Sequence, residues 1–206
     1  MEGVELARKR IVDEKAVGQL NHFHLKIWRN IKASGKYYET EWRKSPQYQG
    51  GFILDGGIHH VALLRYVSGQ EIIETRGFAR QVAPHMPPLD TVNAGILLSG
   101  GAIGTYSMSF SSTKSATEYI FVGTEGSLSI TGSPLETMLK LEDVAGNTIR
   151  DETVKNQAVE QEIKGFLDAV EAGYSESRAG PEEALNDLAV IESLCSGGSK
   201  VSVVEI

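Results

Sequence analysis

The sequence predicts an α+β fold: a largely antiparallel open sheet with helices on one face. Three observations predict it. From Ile72 to Glu142, short apolar-rich runs follow one another with turn residues between them, the pattern of a meander. Two stretches near the C-terminal end carry apolar residues at helical spacing. One more such stripe and one alternating run precede the meander, so strands and helices segregate instead of alternating. Residues 1–206 read as a single domain of this kind.

The elements follow in order. Val4, Leu6, Ala7, Ile11 and Val12 form an amphipathic stripe, with Gly18 as its stop signal. No capping residue precedes it, so Met1 reads as an internal methionine of a longer ancestor as readily as a true start. Phe23, Leu25 and Ile27 alternate with His22, His24, Lys26 and Trp28, which predicts a half-buried strand. Asn30 to Gly51 is polar, broken by Ser34-Gly35 and Ser45-Pro46, and carries two tyrosines, Trp42 and Arg43. A loop of that length in a compact domain usually has a function. Asp55-Gly56-Gly57 opens a helix that runs to about Val67 and stops at Ser68-Gly69, with Asp55 as its N-cap.

Strands are then expected over Ile72 to Val82 and Thr91 to Leu98. Ser99-Gly100-Gly101 turns the chain into Ala102 to Phe110, and Tyr119 to Val122, Leu128 to Ile130 and Met138 to Glu142 follow. After a turn at Val144-Ala145-Gly146-Asn147, one helix carries Val159, Ile163, Phe166, Leu167 and Val170. A second, started by Pro181, carries Ala184, Leu185, Leu188, Ile191 and Leu194. Val201 to Val204 closes the chain as a short strand. The runs Ile96-Leu97-Leu98 and Ile120-Phe121-Val122 put apolar side chains on both faces of the sheet. A single helical layer covers only one, so a homo-oligomer built on the other face is expected.

Composition excludes several partners. The 27 acids against 20 bases give a formal charge of −7 with no basic run, a poor match to nucleic acid or an anionic membrane. Hydrophobic residues make up 41%, enough for a real core. No apolar run approaches the ~18 residues of a membrane span. The single cysteine, Cys195, rules out an internal disulfide and fits a reducing compartment. The charged N-terminus is no signal peptide. A soluble cytoplasmic protein is expected.

The densest polar cluster is Gly50-Gly51-Phe52-Ile53-Leu54-Asp55-Gly56-Gly57-Ile58-His59-His60. Asp55 and His59 are four apart, so both can face one side of a helix start. A carboxylate beside an imidazole orients it and makes it a usable general acid/base near neutral pH. The competing reading is an N-cap and a partly buried histidine, and spacing alone leaves both open. His22 and His24 share a strand face, but no Cys or acid stands at ligand spacing, so a structural role and no metal site are expected. His85, in Pro84-His85-Met86-Pro87-Pro88, lies on a loop that could line a pocket mouth. Tyr37 and Tyr38 are either substrate contacts or loop anchors. Cys195 is expected in the core of the last helix.

The stretch Trp42-Arg43 … Gly50-Gly51-Phe52-Ile53-Leu54-Asp55-Gly56-Gly57-Ile58-His59 resembles the pattern W-R, then G-G-x-x-x-D-x-G-x-H. That pattern marks the substrate domain of the glucose–fructose oxidoreductase/inositol dehydrogenase (Gfo/Idh/MocA) family. Val122 to Leu128 is similar to its later G-x-x-G-x-L turn, and Phe166 to Ala169 with Gly180-Pro181 to its C-terminal helices. The spacing of Tyr38, Trp42-Arg43 and the glycine pair is most similar to a fungal branch of NADP-type members.

The resemblance implies roles. His59 is the proton donor or acceptor on a substrate hydroxyl or carbonyl, and Asp55 supports it. Trp42 and Arg43 lie where the cofactor, NAD(P), meets the substrate. Tyr38, Gly56 and His60 are the implied substrate-binding residues, although His60 points about 100° away from His59 and has a competing structural role. An acid often found three residues beyond the histidine is Ala62 here. The family's G-x-G-x-x-G/A turn is not found in these residues. Nor is its E-K-P segment: Glu14-Lys15-Ala16 lacks the proline and sits in the first helix as a decoy.

The implied function is therefore the substrate half of an NAD(P)-dependent oxidoreductase acting on a small molecule, with a Rossmann-domain partner. Two alternatives stand beside it. One is a cofactor-independent isomerase, dehydratase or cyclase using His59 and Asp55. The other is a non-enzymatic binding or dimerisation module.

Overall fold

The structure, a computed structural model, describes residues 2–36, 38–47, 50–156, 158–174 and 180–202. Its centre is an eight-stranded sheet in the order β2-β3-β4-β1-β5-β6-β7-β8. The strands are β1 (Leu20–Asn30), β2 (Ile72–Arg80), β3 (Thr91–Leu98), β4 (Ile103–Ser109), β5 (Ser111–Gly123), β6 (Gly126–Gly132), β7 (Glu136–Asp143) and β8 (Thr148–Lys155). Every neighbouring pair is antiparallel except β1 and β4, which run parallel.

β1 sits mid-sheet because one of its faces is apolar. Phe23 lies opposite Phe121, and Leu25 opposite both Tyr119 and Tyr106, and all of these are buried. This face meets the helices α1 (Glu2–Arg8), α3 (Phe52–Ser68) and α5 (Pro181–Cys195). α3 packs between α1 and α5, and α5 also covers β2. Ile53, Val61 and Leu64 of α3 and Val190, Ile191 and Leu194 of α5 complete the core. Cys195 is half-buried at the end of α5, and burial pushes its thiol up to about 11.

Several elements depart from expectation. The first helix passes at Lys9–Asp13 into a π-helical turn. Lys15, with φ 50°, lies past that turn and not in the helix. A short helix, α2 (Glu41–Lys44), interrupts the polar loop. α3 begins at Phe52, three residues before Asp55. Gly50 C=O receives the Ile53 amide at 2.7 Å, and Gly51 C=O receives the Asp55 amide at 3.0 Å. Asp55 is therefore not the N-cap; Gly51 is, at φ 43°, where a side chain would strike the Pro87 carbonyl oxygen at 2.5 Å. The helix ends as expected, with Gly69 left-handed and its amide on Arg65 C=O.

β8 was not anticipated. It is an edge strand, exposed along most of its length, so it shows no buried alternation. Of the closing strand expected over 201–204, residues 203 and 204 lie outside the described residues. Lys200 bridges Glu74, and the Val201 amide bonds Ile73 C=O at 2.9 Å.

Arg65 fastens the helical layer. Only 5% exposed, it bonds Glu71 at 2.7 Å, Glu183 at 2.7 Å and Asp187 at 2.6 Å, joining α3, α5 and the start of β2. Burial works against its charge, but the hydrogen bonds it donates to Glu71 and Asp187 outweigh it and hold its pKa above the ordinary value. The same burial raises the Asp187 carboxyl, against the pull of Arg65.

Two surfaces are only partly covered. On the sheet face away from the helices, Ile96, Leu98 and Phe121 are absent, because they point into the core. Leu97, Ile120 and Val122 are half-buried there, among His24, Asn93, Thr105, Ser107 and an ion pair between Lys26 and Glu118. Phe78, at 86% exposure, and Ile103 stand out from this face. The second surface is α4 (Ala158–Ala172), which turns its apolar stripe outward. Val159, Ile163, Phe166, Leu167 and Val170 are all exposed, whereas Ala169 is buried. Among the described residues, no helix is long and apolar enough to cross a membrane.

Candidate functional site

The site is built around the first two turns of α3. Arg43, on α2, bonds both oxygens of Asp55: Nε lies 2.8 Å from Oδ2 and Nη2 3.2 Å from Oδ1. Its Nη1 also donates to Thr40 Oγ1 at 3.0 Å, and its guanidinium sits 4.0 Å from the centre of the Trp42 ring. The irregular loop is thus tied to α3 by a two-pronged ion pair, and Trp42 is held beside it, 53% exposed.

Asp55 was expected to support His59, but its carboxylate is committed to Arg43. A guanidinium offers two parallel charge-assisted bonds where an imidazole offers one. His59 lies one turn further along α3, is exposed, and makes no hydrogen bond with any described residue.

His60 points inward. Its Nδ1 lies 2.8 Å from the Tyr119 hydroxyl, and burial, with the charges of His59 and Arg29, pushes its pKa down to about 4. Burial likewise raises the Tyr119 hydroxyl, while Arg29 pulls it the other way. The two form a neutral pair at ordinary pH, with the His60 ring turned toward Tyr119 on the sheet. Gly56 lies against Phe110. A side chain there would meet Phe110 Cζ at 2.4 Å, so the glycine serves close packing of α3 on the sheet.

Tyr38 stacks on Phe52 with ring centres 6.3 Å apart and meets the edge of His85 at 5.3 Å. The His85 Nε2 lies 2.9 Å from Ile31 C=O. Tyr38 and His85 therefore anchor the loop that carries α2; Tyr37 lies outside the described residues. His22 and His24 sit on the far sheet face, apart from the site. No group of three or more His, Cys, Asp or Glu side chains among the described residues could hold a metal ion.

Sequence reasoning missed Arg29 and Tyr119. Arg29 follows Leu25 and Ile27 in the alternation of β1, so it falls on the apolar, helix-facing side, and that misplaced charge was the signal. Two broad hollows, of about 520 Å3 and 420 Å3, lie on the opposite sheet face beside Phe78 and Trp28. Neither is lined by His59, which stands on an open surface.

The chain belongs to the Gfo/Idh/MocA family: residues 6–129 match the GFO/IDH/MocA C-terminal domain. The dehydrogenase FPY6 of Fusarium mangiferae is 33% identical over 193 residues, covering 89% of this chain and 55% of that relative. An oxidoreductase from Thermotoga maritima superposes with a TM-score of 0.82 at 28% identity, over 96% of this chain and 58% of that one. The WlbA dehydrogenase from Bordetella pertussis, solved with NADH and UDP-GlcNAcA, shares the fold at a TM-score of 0.75 and 15% identity, over 99% of this chain and 61% of its own. The chain spans little more than half the length of these proteins.

Proposed function

We propose that the chain is the substrate-binding, acid–base half of an NAD(P)-dependent dehydrogenase acting on a hydroxyl or carbonyl of a small molecule. One observation carries this reading: Arg43, Asp55 and Trp42 are locked together one helical turn from an exposed, unbonded His59. His59 exchanges the substrate proton, and the Arg43–Asp55 pair fixes the loop that walls the site. Tyr119 and His60 support His59 from beneath. The positive end of α3 favours negative charge developing on a substrate oxygen.

The residues present fit one end of the cofactor. The Trp42 indole offers a half-exposed aromatic face beside the site. The other end finds no seat at α3, because the Pro87 carbonyl closes over Gly51 where a pyrophosphate would need open backbone amides. Bound NAD(P) supplies hydride transfer at the substrate carbon. The outward stripe of α4 is the surface for a nucleotide-binding domain, an assignment supported by relatives nearly twice this chain's length. The open sheet face, with Phe78 and Ile103, takes a second copy of the chain.

Calorimetric titration of the 206-residue chain with NADPH tests the division of labour. No tight binding is expected. A dissociation constant in the low micromolar range or below would place the whole nucleotide site on this chain and overturn the proposal.

A further inference from the structure

Arg29 is a cation without an anion among the described residues. Arg10, Arg43, Arg65, Arg76 and Arg150 each pair with one carboxylate or more. Arg29 is half-buried, yet its bonds go only to neutral oxygens. Nη1 donates to Trp28 C=O at 3.0 Å and to Ala116 C=O at 3.1 Å, and Nη2 donates to Thr117 Oγ1. No described carboxylate pairs with it, and its Nε–H and one Nη2–H have no partner among the described residues.

Its position matters as much as its pairing. Arg29 ends the helix-facing side of β1, at the irregularity in its pairing with β5, and Thr117 and Tyr119 lie on the same side of β5. Its charge reaches the hydrogen-bonded pair of Tyr119 and His60, the residue next to His59 in the chain. A shielded guanidinium with spare donors is poorly compensated in the free protein. A compact oxyanion would satisfy it with charge-assisted hydrogen bonds.

We propose that Arg29 binds the anionic group of the substrate, so that the molecule whose hydroxyl or carbonyl meets His59 is an acid: a carboxylate or a phosphate monoester. This rests on the dehydrogenase reading above for the role of His59, but not for the binding itself. The fixed charge orients the substrate, with the oxyanion at the end of β1 and the reacting oxygen toward α3. Neutral polyols of the same shape are then discriminated against, because they leave the guanidinium unpaired.

The test is a titration of the full chain, followed by NMR at the ring signals of His59, His60 and Tyr119. The probes are D-gluconate, D-glucose 6-phosphate and D-glucose at constant ionic strength. Saturable shifts are expected with an oxyanion probe, with a dissociation constant on the order of millimolar, and none with glucose. Gluconate alone assigns a carboxylate, and glucose 6-phosphate alone a phosphate. Arg29→Gln should weaken binding about tenfold or more, while Arg29→Lys, which keeps the charge, retains part of it. No oxyanion binding at the highest soluble concentration, equal binding of glucose, or oxyanion binding unchanged in Arg29→Lys and Arg29→Gln would each overturn the proposal. Binding that depends on Arg29, with no redox turnover once the chain is joined to a relative's nucleotide-binding half, leaves this inference standing and sinks the dehydrogenase reading. Turnover of neutral substrates alone does the reverse.

Discussion

Arg43 grips both oxygens of Asp55, at 2.8 and 3.2 Å, from twelve residues earlier in the chain. Both side chains are largely shielded, at 16% and 28% accessibility, so the pair is worth more than a surface contact. A double-mutant cycle of Arg43→Met and Asp55→Asn in denaturant unfolding should give a coupling of about 1 kcal/mol. Trp42, stacked on Arg43, should shift its fluorescence in Arg43→Met. A coupling near zero with unchanged emission would mean that the pair does not hold the loop.

His60 makes stability depend on acid. Its folded pKa is about 4, below the ordinary 6.5, so the unfolded chain binds this proton first as pH falls. Stability from this group is present above pH 6.5, is lost between 6.5 and 4, and falls no further below that; the loss is up to about 3 kcal/mol. Unfolding measured from pH 7 to 4 in wild type and His60→Gln should show a flatter profile in the variant. Parallel profiles would contradict the burial assigned to His60.

Arg65 is surrounded by Glu71, Glu183 and Asp187. Removing the cation leaves three carboxylates facing one another, two of them partly exposed. Arg65→Met should cost about 3–5 kcal/mol of stability, and Arg65→Lys less, because it keeps the charge but loses the fork. A loss below about 1 kcal/mol in the methionine variant, within the range of ordinary surface pairs, would show that the network relaxes without it.

The occupants proposed for the two partly covered surfaces can be told apart. Light scattering at micromolar protein should give a dimer, twice the chain's 22.4 kDa. Phe78→Asp on the open sheet face should return it to monomer, while Phe166→Ser on α4 should leave the dimer and reduce binding of a hydrophobic dye. A wild-type monomer, or a dimer broken by Phe166→Ser and not by Phe78→Asp, would contradict the assignment of faces.

Alternation made β1 and the meander legible, because each strand there buries one face. β8 was invisible for the converse reason: an exposed edge strand has no apolar face to give a period. The start of α3 was misplaced because Asp55 has the chemistry of a cap, while the real cap is Gly51, chosen for its backbone angle. The α4 stripe was legible, but amphipathicity says only that a face is to be covered, not by what. Asp55, His59, Trp42 and Arg43 were found through spacing and resemblance together. The Arg43–Asp55 contact crosses irregular chain, where no periodicity reaches. Arg29 and Tyr119 lie 90 residues apart and meet only because β1 enters the middle of the sheet.

The central claim is that His59 performs acid–base chemistry for a cofactor held by another domain. The direct measurement is a chimera in which this chain replaces the corresponding half of the Fusarium mangiferae relative, which is 33% identical over 193 residues. NAD(P)-dependent oxidation or reduction of small hydroxy and carbonyl compounds, acids included, is then followed by cofactor absorbance. Turnover should be present, and His59→Ala should lower kcat by about 10²–10⁴-fold while NAD(P)H binding is unchanged. Turnover that survives His59→Ala at the wild-type rate would contradict the account.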